Sequence, residues 1–125
     1  MLRLLLIIGA GSFLGGVLRF LASRFIQNTT HSAFPYGTLV INVVGCLLIG
    51  FLYGISVREN ILNPEWRMFL TVGFCGGFTT FSTFINENVA LLRDGDFFHF
   101  AFYTGLSIFL GLIAVFLGNY ITKML

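Results

Sequence analysis

Between Gly73 and Phe84 the chain reads GFCGGFTTFSTF. The hydroxyls of Thr79, Thr80, Ser82 and Thr83 interleave there with Phe81 and Phe84, directly after the Gly76–Gly77 pair. Elsewhere Thr38 and Asn42 lie four residues apart, as do Tyr103 and Ser107, so each pair shares one face of a helix. These groups are weak dipoles: hydroxyls, an amide, and phenyl rings with a positive edge and a negative face. Ring edges lining a pathway could attract a small anion without binding it too firmly to leave. Ser, His and Asp do not assemble into a hydrolytic triad, since His31 and His99 both fall in or near expected loops.

The elements that position these groups follow from composition. Of 125 residues, 57% are hydrophobic and 10% charged, against about 25% charged in soluble domains. Mean hydropathy is +0.93. A spanning helix takes about 20 apolar residues, so the length accommodates about four spans and no enzyme-sized soluble domain. The expected spans are residues 4–25, 36–57, 67–92 and 97–121, in a single domain over 1–125. Gln27–Pro35 and Arg58–Trp66 read as polar loops, the latter with an Asn63–Pro64 turn signal. Arg93–Asp96 reads as a tight turn. The N-terminal MLRLLLIIGAGSFLGG has the look of a signal peptide, yet its apolar run continues to Leu18 without a cleavage pattern, so a retained first span is expected. Cys46 and Cys75 fall inside apolar segments, where a thiol behaves as a small buried apolar group. The net charge of +2, clustered at segment ends, gives no reason to invoke nucleic acid.

Orientation is weakly specified. Arg3, Arg58, Arg67 and Lys123 fall on one side of a four-span chain, and Arg24, Arg93 and Arg19 on the other. Positive charge on cytoplasmic loops normally fixes orientation; so even a division permits insertion either way round, and two inverted copies could then pair. One orientation imposed by the insertion machinery is the alternative. The spacings Gly11/Gly15, Gly50/Gly54 and Gly73/Gly77 allow close helix contacts, within one subunit or between two.

Polar groups on three spans at membrane depth call for an explanation. Hydroxyls bonding back to their own helices would account for each singly; a lined pathway accounts for them together. Gly76–Gly77 before Thr79–Thr80 predicts a break in the third helix, freeing carbonyls suited to a cation and N–H groups suited to an anion. Phe81 and Phe84, three apart, are expected near one face, lining the pathway or merely packing. Glu87 could carry protons or serve a structural hydrogen bond; Arg19 could snorkel to the interface or stand in an aqueous vestibule.

Together these segments resemble the Fluc/CrcB fluoride ion channels over nearly the whole chain. GGVLRF (Gly15–Phe20), YGTLVINVVGCLLIG (Tyr36–Gly50), GFCGGFTTFSTF, and Tyr103 with Ser107 are similar to that family's motifs. The resemblance implies an all-α membrane protein with four transmembrane helices per subunit, the third broken near Gly76–Thr80, forming an antiparallel dual-topology homodimer in the cell (inner) membrane. It implies a passive channel with two fluoride pores. Phe81 and Phe84 would present ring edges, Asn42 a hydrogen-bond donor, and Thr38, Ser82, Thr83, Tyr103 and Ser107 a polar track. Glu87 would support the pore and Arg19 would stand at the vestibule. Main-chain carbonyls of Gly76 and Thr79 from both subunits would hold a central structural sodium ion. Competing readings are a proton-coupled small multidrug-type antiporter, which would normally carry an acid in the first span where this chain has none, and a non-transporting assembly subunit.

Overall fold

Four segments of the computed structural model, which describes residues 1–58 and 61–125, are helical, long and apolar enough to cross a bilayer. α1 covers Leu2–Thr30 and α2 covers Tyr36–Ser56. The third span, Pro64–Arg93, is composite. It comprises α3 (Pro64–Met68), a π-helical stretch (Phe69–Cys75), α4 (Gly76–Phe78), a break, and α5 (Ser82–Arg93). α6 covers Phe97–Lys123. At 1.5 Å per residue, the 29 residues of α1 extend about 43 Å, more than a hydrocarbon core of about 30 Å, so this helix tilts or emerges.

Several boundaries differ from the sequence expectation. α1 continues through Gln27–Thr30, and the loop shrinks to residues 31–35 because Gln27 closes it with its side chain. Its amide donates to the carbonyls of Ser32 (2.7 Å) and Phe34 (3.0 Å), and its Oε1 accepts from the Gly37 N–H (3.1 Å). The third span begins at Pro64, three residues before Arg67, because Asn63 caps it: Asn63 Oδ1 accepts from the Glu65 N–H at 2.7 Å, and proline suits the first helical position. Glu59 and Asn60, inside the expected Arg58–Trp66 loop, lie outside the described residues.

The helices pack in two pairs, α1 against the π stretch and α4, and α2 against α6. Small residues set both contacts. A Cβ on Gly15 would collide with the main chain of Phe74, one on Gly77 with that of Ser12, and one on Gly118 with that of Leu47 and Phe51. Gly50 meets the main chain of Val115 in the same way, and Gly54 lies against the side chain of Thr122. The three small-residue spacings therefore pack helices within the chain. The main buried cluster comprises Phe34, Leu39, Phe84, Leu91 and Tyr103; most other large apolar side chains face outward, as lipid permits.

The α5–α6 turn is tightly specified. Gly95 adopts φ 72°, the Asp96 N–H reaches the Leu91 carbonyl at 2.9 Å and the Gly95 N–H reaches that of Leu92 at 3.1 Å, the Schellman pattern. Asp96 then caps α6, accepting from the His99 N–H (3.2 Å) and lying 2.6 Å from its Nδ1. The His99 backbone N–H, followed by its imidazole, holds the Asp96 carboxyl below its ordinary 3.8.

Gly15→Ala must push α1 away from main chain and should destabilise by about 1–3 kcal/mol. Gly105→Ala, with nothing within 4 Å, should be neutral or slightly stabilising; unfolding in detergent reads both. Because the folded-state value of Asp96 is depressed, its contribution is fully present above pH 3.8 and is lost as pH falls through the lower folded value. A thermal-unfolding series from pH 5 to 2 should show an acid-side loss that Asp96→Asn lacks.

Candidate functional site

The break in the third span is held by one side chain from α2. Thr79 is extended (φ −93°, ψ 157°). Its N–H and hydroxyl still reach back to the Cys75 carbonyl, at 3.0 and 2.9 Å. Thr80 does not continue the helix. Its N–H donates to Asn42 Oδ1 at 2.8 Å, and its carbonyl accepts from Asn42 Nδ2 at 2.9 Å. The Asn42 amide thus stands in for a paired strand, satisfying both main-chain groups of one residue. Thr80 Oγ1 in turn accepts from the Thr83 N–H at 3.2 Å and opens α5.

This rerouting has a direct consequence for two carbonyls. In an unbroken helix the Thr80 N–H would serve the Gly76 carbonyl and the Thr83 N–H that of Thr79. Both donors are engaged elsewhere, so those oxygens lose their helical partners. The intervening Gly77 carbonyl accepts from Arg19 Nε at 3.0 Å. A guanidinium there opposes the negative end of the half-helix that terminates at Phe78. Arg19 is half-buried on α1 and is thereby tied to the break; four of its five N–H donors lie beyond this bond. Gly76 and Gly77, from which unwinding was expected, remain helical, with Gly76 at φ −61°, ψ −40°. Gly77 is needed for the close approach of α1, and the chain departs from helical geometry only at Thr79.

Beside the break lies a groove of about 410 Å³. Asn42, Gly76, Thr79, Phe81, Phe84 and Ser107 line it, six of the residues singled out from the sequence. Thr71 and both cysteines lie along the same groove. Ser107 Oγ is buried without a hydrogen-bond partner among the described residues. The two rings are neighbours, with centroids 6.1 Å apart, but not equivalent: Phe81 is 76% exposed and Phe84 is 7% exposed. Phe81 stands at the N-cap of α5 in helical geometry (φ −90°, ψ −39°), its carbonyl accepting from the Ile85 N–H at 2.9 Å, so the three-residue spacing does set the two rings side by side.

Behind Phe84 is a second cluster. Tyr103 is fully buried, meets Phe84 edge-on at 5.0 Å and Phe34 at 5.4 Å, and its hydroxyl donates to Glu87 Oε1 at 3.3 Å. Buried Thr38 lies beside this pair. Thr38, Tyr103 and Glu87 are thus brought together, outside the groove lining. Ser82 is exposed and Thr83 half-buried on the first turn of α5.

Sequence reasoning missed three features. Thr80 supplies the main-chain half of the clasp, without a spacing signal that could reveal a partner 38 residues away. Asn88 is buried, donating to the Phe84 carbonyl at 3.1 Å and accepting from the Thr104 hydroxyl at 3.2 Å, which ties α5 to α6; an amide at membrane depth was the available cue. The π-helical stretch, which carries Thr71 and Cys75 into the groove, has no local sequence mark.

The family model described as CrcB-like protein, Camphor Resistance (CrcB) matches residues 6–119. The chain is similar to proteins named "Fluoride-specific ion channel FluC". It is 42% identical to the one from Chlorobium phaeobacteroides (strain BS1), over 96% of this chain and 93% of the relative. The one from Flavobacterium psychrophilum is 44% identical, over 94% of this chain and 95% of the relative. The one from Bacteroides fragilis is 48% identical, over 89% of each.

Asn42→Leu would strand the N–H and carbonyl of Thr80, at an expected cost of about 1–3 kcal/mol for each group that water cannot reach. Amide exchange at Thr80 and unfolding in detergent should both report the loss, with exchange accelerated at the break before the rest of the span.

Proposed function

This chain belongs to the CrcB family, and on that premise we propose that it is a passive, fluoride-selective channel. The observation that carries the reading is the groove at the break. Its lining gathers hydroxyl, amide and aromatic groups and no ionised side chain. Fluoride holds its water tightly, so a pore must offer substitutes. Here these are the second N–H of the Asn42 amide, the unpartnered Ser107 hydroxyl, and the rims of Phe81 and Phe84, with Ser82 and Thr83 extending the polar track. Ring edges attract an anion without holding it fast, as conduction requires. Thr38, Tyr103 and Glu87 buttress Phe84 from behind. The remaining N–H groups of Arg19 attract anions at the vestibule.

One chain is only part of the channel in this reading. Unpaired carbonyls at membrane depth cannot face hydrocarbon cheaply. A second, inverted copy would cover the groove, and the near balance of basic residues between the two sides favours both orientations. Two-fold symmetry then gives two equivalent pores. Near the axis, the Gly76 carbonyl of each copy, freed by the Asn42–Thr80 clasp, and the Thr79 carbonyl, freed by the Thr80 hydroxyl, would supply four oxygens for a sodium ion. Hard cations favour oxygen ligands, and half-helix C-terminal ends are established sodium sites in membranes. Its chemistry would be structural, balancing negative helix ends that meet.

Direction follows from electrostatics. A potential of about 100 mV, negative inside, is worth about 2.3 kcal/mol per charge, enough to hold fluoride about 40-fold lower inside. A passive pore in the inner membrane would therefore suffice to discharge the ion, without nucleotide.

In liposomes the purified protein should pass fluoride without a proton gradient and exclude chloride. Phe81→Ile and Phe84→Ile should each lower flux by about tenfold, the upper range of a ring-edge interaction. Glu87→Gln should retain flux. Proton-dependent cation uptake that Glu87→Gln abolishes would establish the antiporter instead, and absence of any transport an assembly role. Cross-links placed across the groove should join inverted copies; same-facing partners would refute the antiparallel pore.

A further inference from the structure

At the end of the bundle where α1 and α3 begin, Arg3 and Glu65 meet through two contacts, Nε to Oε1 at 3.0 Å and Nη2 to Oε2 at 3.1 Å. Their side chains nevertheless remain 80% and 43% exposed. Around them lies a separate groove of about 340 Å³, lined by Arg3, Ile7, Glu65, Trp66 and Phe69. Trp66 meets Phe69 edge-on, with centroids 5.5 Å apart and planes at 76°. Ile7 and Phe69 lie toward the membrane from the two charges along their helices, and tryptophan favours the headgroup level. The groove thus joins a mouth of two opposite charges to an apolar floor at the depth where headgroup gives way to acyl chain. None of its residues lines the groove at the break.

We propose that this groove binds a phospholipid whose headgroup carries both a phosphate and a primary ammonium, that is, a phosphatidylethanolamine. The planar fork of Arg3 matches the phosphate oxygens. Glu65 accepts N–H bonds from the ammonium, and the Trp66 face provides a second attraction for the same cation. The start of an acyl chain lies on Ile7 and Phe69. An exposed Arg–Glu pair contributes little by itself. Opening it to admit a zwitterion keeps each charge neutralised and adds the apolar contact. An anionic headgroup would place its excess charge against Glu65. A choline headgroup has no N–H to give that carboxylate. The charge arrangement therefore selects among lipids that an apolar groove alone would treat alike.

Native mass spectrometry of the intact protein, offered equimolar phosphatidylethanolamine, phosphatidylcholine and phosphatidylglycerol, tests this. Phosphatidylethanolamine should be retained up to about fivefold better than either competitor, the range of one exposed charge pair. Glu65→Gln should erase its advantage over phosphatidylcholine, and Arg3→Gln should weaken retention of all three. Both variants should keep the unfolding temperature and fluoride flux of the parent, so failure here is distinguishable from failure of the channel reading. Equal retention of the three lipids by the parent protein, a preference for phosphatidylglycerol, or an undiminished preference in Glu65→Gln would each overturn the proposal.

Discussion

A single side-chain amide makes the broken helix possible. Hydrocarbon offers no hydrogen bonds, so a main chain that leaves helical geometry at that depth must find partners within the protein. Asn42 supplies one donor and one acceptor to one residue, Thr80, and by doing so lets Thr79 extend. Nothing shorter than an amide could serve both groups. A hydroxyl bridges them poorly, and a carboxylate would set its lone pairs against the Thr80 carbonyl. The clasp also selects which groups remain unpaired. It withdraws the Thr80 N–H from Gly76, while the Thr80 hydroxyl withdraws the Thr83 N–H from Thr79. The same two interactions that stabilise the break therefore concentrate free carbonyl oxygen on one side of it and begin a new helix on the other.

The helix pairs keep that break in register. α1 approaches the first half of the third span so closely that main chain touches main chain at Gly15 and Gly77. That contact brings Arg19 to the Gly77 carbonyl, next to the residue whose helical bond is lost. α2, which bears Asn42, is fixed independently against α6 through Gly50 and Gly118. The clasp therefore adds a polar link between two helix pairs that also meet where Gly37 of α2 lies against the Ser23 main chain of α1. In a protein with so few fully buried apolar side chains, small-residue contacts and main-chain hydrogen bonds take the part that a hydrophobic core plays in water.

What the sequence disclosed reflects where the physics is local. The four spans were legible because lipid demands long apolar runs, and the α5–α6 turn because Gly95 and Asp96 each meet a local requirement. Gln27 misled because its polar side chain reads as loop although it acts as the staple of a helical end. Asn42 and Ser107 stood out as polar groups at depth, yet nothing in their spacing indicated that one is bound to main chain and the other unpartnered. The glycines pointed to the right stretch for the wrong reason. The missing side chain of Gly77 serves helix contact, Gly76 has open space around it, and the departure falls at the threonines that follow. Phe81 and Phe84 do keep the one-face relation their spacing suggested, because helical geometry resumes at Phe81, but spacing could not show that one ring is exposed and the other buried.

The break also explains how one short stretch could serve ions of opposite sign under the proposed reading. A continuous helix hides its donors and acceptors in one another. A helix divided at Thr79–Phe81 ends one macrodipole and starts a second within a few residues, with negative potential at the first terminus and positive at the next. Carbonyls and the opening N–H groups of α5 then face different surroundings. Toward Gly76 the oxygens suit a cation, while on the proposed reading Phe81, Phe84 and Ser107 would offer ring rims and a hydroxyl donor to an anion. Arg19 sits at the cationic-preferring end, where its charge offsets helix-end potential that a lone carbonyl cluster would leave unopposed. An immobile cation on one side of the break and a passing anion on the other require no ionised side chain in the groove itself. On the proposed reading, that separation would let an anion be attracted without being trapped.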